Sequence, residues 1–340
     1  MRRVAIGMIL AVALAAGCTP AVPRPPVTFA VMAGAYCSAE GKVAVEGAVV
    51  AESEGLLERA VADVNARKGV EFVIVAGDLL ARADPLSLDR ARSILDELRV
   101  PYFVTLGEHD GPAPVRGDTA DTAEPQEGGA SRSTVLWTFQ GHGITGPQGY
   151  WAREIKPGVV VVGLDTVNPG RPAGHVDGRQ LAWLDRTLSA QRGKMVIVVG
   201  HHGLMPLHPL DEGETWRHLL VDNAAEVRRV LERHANVVLV VTAHHHFAGG
   251  RIAGRIVYVA SPSISVWPMA YHVVRVDQQE AEAVWVAVAP EAVARKGLEK
   301  LLASQAYCGV FPEGEDGETT CVRLFGGNKS KLYRLPSIRP

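Results

Sequence analysis

Four short apolar runs in this chain each hand over to acidic or imidazole side chains. The run 72–76 is followed by Gly77-Asp78, and 102–106 by Gly107-Glu108-His109-Asp110. Residues 195–199 lead into Gly200-His201-His202, and residues 237–242 into Ala243-His244-His245-His246. Carboxylates and imidazoles are the donors that zinc, manganese and iron accept, and two carboxylates neutralise a divalent ion. The same groups serve as proton donors and acceptors. A lone histidine behind an apolar run is an ordinary loop residue. Four such deliveries in order, mixing Asp, Glu and His, describe a site.

A site of this kind needs elements that bring the deliveries together. β-Branched, apolar runs at 28–32, 72–75, 102–106, 159–164, 195–199, 237–242 and 256–260 have the length of strands buried on both faces. Helical patterns lie between them. Leu56, Leu57, Ala60, Val61 and Val64 share one helical face. Asp177-x-x-Gln180 and Asn223-x-x-Glu226 read as capping boxes ahead of apolar helical repeats. Alternating strands and helices predict an α/β fold with largely parallel pairing, whose strand ends converge on the ligand site. Glycine before the functional residue lets the backbone turn sharply there.

With these motifs in order, the chain resembles the calcineurin-like metallophosphoesterases. That family carries D-x-H, G-D, G-N-H-D or E, G-H and G-H-x-H at successive strand ends. The resemblance covers most of residues 27–275, including Gly163-Leu164-Asp165-Thr166 ahead of a Gln-Leu-x-Trp-Leu helix, and Ala260-Ser261-Pro262-Ser263. It implies a two-sheet sandwich flanked by helices, a four-layer α/β/β/α arrangement, and a dinuclear centre that cleaves phosphoesters. Departures from the pattern are specific. Gly34 and Tyr36 stand where the opening Asp and His belong, Glu108 replaces the asparagine, and Ala243 replaces a glycine.

Carried over by position, the resemblance implies one complete metal site of Asp78, Glu108, His201 and His244. Only the bridging Asp78 and His246 remain of the other. One ion (manganese, zinc or iron) is therefore expected rather than two. Tyr36 is not expected to ligate, since family members that use a tyrosine supply it from the position of Ala81; Tyr36 and Cys37 could line the vacated site. His109, oriented by Asp110, is expected to stabilise or protonate the leaving oxygen. The implied substrates are phosphomonoesters, phosphodiesters or nucleotides.

Arg2 and Arg3 precede an apolar run from Val4 to Ala16, then Gly17-Cys18. This reads as a lipoprotein-type signal over 1–17, with Cys18 lipidated and residues 18–26 a proline-rich tether. An ordinary secretory signal cut nearby is the alternative; either takes the chain out of the cytoplasm, and the lipid anchor would hold it at the bacterial cell envelope, facing the periplasm or exterior. The metallophosphoesterase-like domain is expected over 27–289, with an extension at 290–340 that holds a helix near Leu298, Leu301 and Leu302 and then a loop-rich tail. There Cys308 and Cys321 could pair in an oxidising compartment, leaving Cys37 over. Residues 111–133 read as a long loop.

The chain has 340 residues and a formal charge of -2 with no basic run, so nothing marks a nucleic-acid duplex as partner. No Gly-x-Ser-x-Gly elbow or P-loop motif occurs. A catalytically silent, lipid-anchored binding protein on the same fold remains the rival to the enzyme. His142, His175, His208, His218, His234 and His272 lack strand-end partners and read as surface or packing residues, while His202 and His245 either face the pocket or pack.

Overall fold

The computed structural model describes residues 26–111, 129–277, 279–311, 315–327 and 329–335. The signal, Cys18 and almost all of the tether lie outside the described residues. So does the middle of the 111–133 loop.

Two six-stranded sheets form the centre. The first contains β1 (Val27–Met32), β2 (Phe72–Ala76), β3 (Tyr102–Thr105), β10 (Ala270–Val276), β11 (Glu280–Ala287) and β12 (Ser330–Arg334), in the order β12-β11-β10-β1-β2-β3. The second contains β4 (Trp151–Lys156), β5 (Val159–Gly163), β6 (Met195–Val199), β7 (Val237–Thr242), β8 (Gly249–Ala253) and β9 (Ile256–Ala260), in the order β4-β5-β6-β7-β9-β8. Helices α1 (Ser53–Ala66) and α2 (Pro85–Leu95) contribute their apolar faces to the same core as the first sheet. That core also joins the two sheets, with Val31, Ile74 and Val104 clustered with Val161, Ile197 and Leu239. Helices α4 (Gly178–Ala190) and α5 (Ala224–Glu232) cover the other face of the second sheet. The layers are helix, sheet, sheet, helix, as expected.

Strand pairing is mixed rather than largely parallel. β1, β2 and β3 run parallel, as do β5, β6, β7 and β9. These are the seven runs that the sequence marks, and they form the parallel heart of each sheet. The outer strands pair antiparallel. With only one face against the core, or neither, β4 and β8 have no continuous apolar run to betray them.

Side-chain caps mark the starts of three helices. Asp84 caps α2 by accepting from Ser87 N–H at 2.9 Å, with Pro85 in the first turn. Asp177 caps α4 by accepting from Gln180 N–H at 2.7 Å. Neither capping box closes reciprocally. Gln180 instead clamps the backbone of Asp165, and Asn223 bonds both backbone groups of Val176. The end of the 111–133 loop is helical: Ser131 caps α3 (Arg132–Thr138).

The chain after Pro290 is woven into the fold. Helix α6 (Glu291–Leu302) contributes Leu301 to a third apolar cluster with Tyr36, Trp216, Tyr307 and Phe325. The segment expected as loop-rich instead forms α7 (Glu315–Gly326), tied to the turn before it by a Cys308–Cys321 disulfide. β12 then pairs with β11. No helix among the described residues is long and apolar enough to cross a membrane.

Candidate metal centre

The candidate ligands leave the ends of parallel strands, two of them in left-handed backbone. Asp78 follows β2 at φ +53° and His244 follows β7 at φ +56°. Five non-glycine residues among those described have positive φ, and Tyr36, Asp78, His244 and His246 are four of them. Such conformations cost about 1–3 kcal/mol each, persist only where surroundings impose them, and gather at functional sites. Glycine is needed for close approach as well. A Cβ on Gly77 would strike the His201 ring, and one on Gly107 would strike the Asp78 carboxylate.

One donor atom from each of Asp78, Glu108, His201 and His244 lies within 4.8 Å of the others. Ligands held about 2.1 Å from a shared ion stand about 3–4 Å apart, so the group has the dimensions of a coordination shell. Glu108 Oε2 is 3.2 Å from His202 Nε2, 3.2 Å from His244 Nδ1 and 3.4 Å from His201 Nε2. His201 Nε2 is also 3.3 Å from Asp78 Oδ2 and 3.1 Å from His244 Nδ1. Despite this crowding, Glu108 Oε2, His202 Nε2 and His244 Nε2 are buried with no hydrogen-bond partner. Buried polar atoms without partners are costly, and a cation among the donors would satisfy Glu108 Oε2. The donor set fits a divalent metal.

Neighbouring groups hold the donors in place. His201 Nδ1 donates to the Ala76 carbonyl at 2.8 Å, which directs Nε2 towards the cluster. Asp78 Oδ1 accepts from His109 N–H at 3.1 Å. Thr166 Oγ1 is 2.9 Å from His202 Nδ1 and accepts from His202 N–H, so the Asp165-Thr166 step orients a site histidine.

Electrostatics favour charged carboxylates. Burial pushes Asp78 and Glu108 up, but the facing imidazoles, His201 for Asp78 and His244 foremost for Glu108, hold both below the usual carboxylate range. His244 is driven down by burial and by the adjacent His202 and His201, so it is a neutral donor. The site therefore presents two negative charges and, in His244, a free imidazole lone pair, while the same carboxylates push His201 up, so a metal would displace a proton there.

Three expectations need correction. Asp110 does not orient His109. Its oxygens accept from Leu80 N–H and Gly107 N–H, both at 2.9 Å, tying the β2 turn to the β3 turn. His109 is held instead by Nδ1 donating to the Ala81 carbonyl at 3.0 Å. His246 stands apart from the four-residue group, with Nε2 2.8 Å from the Tyr36 hydroxyl and Nδ1 2.8 Å from the Tyr307 hydroxyl. Cys37 lies in the hydrophobic core and not at the vacated position. Tyr36 does line that position, 2.9 Å from Asp78 Oδ2. His202 faces the cluster, whereas His245 turns to Asp211.

The cluster opens into a cleft of about 1210 Å³ whose lining includes Tyr36, Glu108, His109, His218, His244 and Tyr307. His218 and Tyr307 were not marked by sequence. Neither follows a strand, and nothing local in their surroundings signals a site.

A model of the calcineurin-like phosphoesterase family matches residues 53–248, more than half of the chain. The chain belongs to that family. It is 24% identical over 223 residues to a probable cyclic nucleotide phosphodiesterase of Synechococcus, covering 64% of this chain and 71% of that protein. A dimetal phosphatase from Danio rerio superposes with a TM-score of 0.59 at 16% identity, over 79% of this chain and all of the other. A purple acid phosphatase from yellow lupin gives 0.55 at 12% identity, over 78% of this chain and 52% of that one. These structures share the fold.

Proposed function

We propose that this chain is a metal-dependent phosphoester hydrolase that works with one ion, held by Asp78, Glu108, His201 and His244. The observation that carries the reading is the convergence of those four donors, with buried atoms that find no other partner. Two carboxylates and two imidazoles suit manganese, zinc or iron. When bound, such an ion is a Lewis acid that polarises a phosphoryl oxygen and makes hydroxide available at neutral pH.

The chain's own groups supply the rest. His109 lines the cleft with its Nδ1 fixed on Ala81, which leaves Nε2 to exchange a proton with the leaving oxygen. Burial lowers the basicity of His109, but the charges of Asp78 and Glu108 outweigh it and keep the ring readily protonated. A cleft of about 1210 Å³ is far larger than a phosphate and accommodates a nucleotide-sized substrate. That size, with the phosphodiesterase name of the cyanobacterial relative, supports a phosphodiester or nucleotide as substrate class.

The reading extends to location. Arg2-Arg3, the short apolar run and Cys18 ahead of a proline-rich stretch support a lipid anchor that holds the enzyme at the bacterial cell envelope.

Hydrolysis of bis-p-nitrophenyl phosphate and p-nitrophenyl phosphate by the full-length protein tests the activity. Turnover that manganese or zinc restores after chelation is the expected result. Absence of turnover with the ion bound would leave a silent binding protein instead.

A further inference from the structure

A single line of hydrogen bonds runs from the C-terminal extension to the metal cluster. Tyr307 Oη lies 2.8 Å from His246 Nδ1, His246 Nε2 lies 2.8 Å from Tyr36 Oη, and Tyr36 Oη lies 2.9 Å from Asp78 Oδ2. All four residues are buried. One proton assignment satisfies every member. An ionised Asp78 only accepts, so the Tyr36 hydroxyl proton points to it. The Tyr36 oxygen then accepts from His246 Nε2–H, which leaves Nδ1 bare to accept from Tyr307.

This arrangement uses both nitrogens of His246, so it has no lone pair left for an ion. It also sets the Tyr36 hydroxyl on Asp78 Oδ2, the same oxygen that stands 3.3 Å from His201 Nε2 in the four-donor cluster. The Tyr36 ring fills the intervening space, edge-on to His109 at 5.1 Å and to His246 at 5.7 Å between ring centroids. Tyr307 is itself pinned. Its N–H donates to Ser304 Oγ at 3.2 Å, and a Cβ on Gly47 would come within 3.0 Å of its ring. The next residue, Cys308, is in the disulfide.

We propose that the Tyr307–His246–Tyr36 chain takes the place of a second metal ion, and that Tyr36 is a positioning residue holding Asp78 as a ligand to the single ion. The proposal rests on the one-ion reading above. It assigns a role to two tyrosines that lie outside the family-matched segment, one before it and one after it. The outer partner of a metal-ligating carboxylate typically sets affinity by a factor of about 10–100.

Calorimetric titration of the metal-free, full-length protein with manganese or zinc tests this without reference to turnover. The parent takes up one equivalent. Tyr36→Phe keeps the ring and removes the bond to Asp78; it retains one equivalent but binds it about 10–100-fold more weakly. Tyr307→Phe weakens binding in the same direction and by less, because it acts one bond further away. Cobalt loading gives a second readout: the visible ligand-field bands of the Tyr36→Phe protein shift from those of the parent as Asp78 is released, a change that mere loosening of the fold would not produce. Two tight equivalents in the parent would overturn the proposal, as would Tyr36→Phe affinity and cobalt bands matching the parent. An ion bound equally by parent and variants removes this proposal alone. Failure of the parent to bind any ion removes the one-ion reading and this proposal together.

Discussion

Gly34 and Ser263 stand so close that a Cβ on Gly34 would lie 2.6 Å from Ser263 Oγ. Gly34 also has φ +53°, and its carbonyl accepts from that same hydroxyl at 2.7 Å. The chain has closed around the absence of a side chain at the position that the motif resemblance sets against an aspartate. Restoring that residue is therefore obstructed. Gly34→Asp is expected to destabilise the fold by about 1–3 kcal/mol, through backbone strain and the displaced serine. Urea unfolding measures it, and an unchanged midpoint would show that the site can reopen freely.

Glu108 brings a charge where the motif resemblance leads one to expect an amide. Glu108→Gln preserves shape while removing one of two negative charges, and leaves the buried imidazoles of His201, His202 and His244 without their shared partner. The expected outcome is loss of the ion by elemental analysis, with turnover reduced at least about 100-fold. A variant that keeps both would remove Glu108 from the ligand set.

The His109 side chain lines the cleft, while its backbone N–H bonds Asp78. His109→Ala should retain the ion and lose about 100-fold or more of phosphodiester turnover. The loss should be smaller for an activated nitrophenolate than for an alkyl leaving group, since a good leaving group needs no proton. Equal losses for both substrates would argue against proton transfer by this residue.

His272 gives the fold a pH dependence separate from the site. It is buried on β10 with Nδ1 unpartnered, and burial pushes its pKa down to about 3. Between about pH 6.5 and 3 the unfolded chain binds a proton that the folded chain refuses, so stability falls as pH drops through that window. From pH 7 to 5 this residue contributes a loss of about 2 kcal/mol at most. His272→Leu should flatten the slope by that amount in urea midpoints at the two pH values. Parallel slopes would mean that His272 protonates in the folded state.

The Cys308–Cys321 bond closes a loop with a sequence separation of 13. Loop-closure entropy assigns it about 3 kcal/mol. Replacing both cysteines with serine should lower unfolding free energy by about that amount. No change would indicate that α7 and β12 hold the segment unaided.

Much of this was legible in the sequence, for physical reasons that also explain the remainder. A strand covered on both faces must be apolar throughout, so residues 195–199 and 237–242 declared themselves to the residue. β4 and β8 are edge strands held by backbone pairing, and their exposed polar side chains carry no such mark. The four donors were readable because each follows a buried strand with a glycine or alanine between. Asp110 misled, since a carboxylate beside a histidine in sequence turned out to satisfy backbone N–H groups across two turns. Tyr307 could not be found from the sequence. Its partner His246 is 61 residues away, and only the packing of the extension brings them together.

The most direct test of a one-ion phosphoesterase is to count metal on the full-length protein after manganese or zinc loading and removal of free ion, with phosphodiester turnover followed on the same samples. The account predicts close to one ion per chain, with turnover rising in proportion to occupancy and vanishing with chelation. Two ions per chain, or turnover that persists with none, would contradict it.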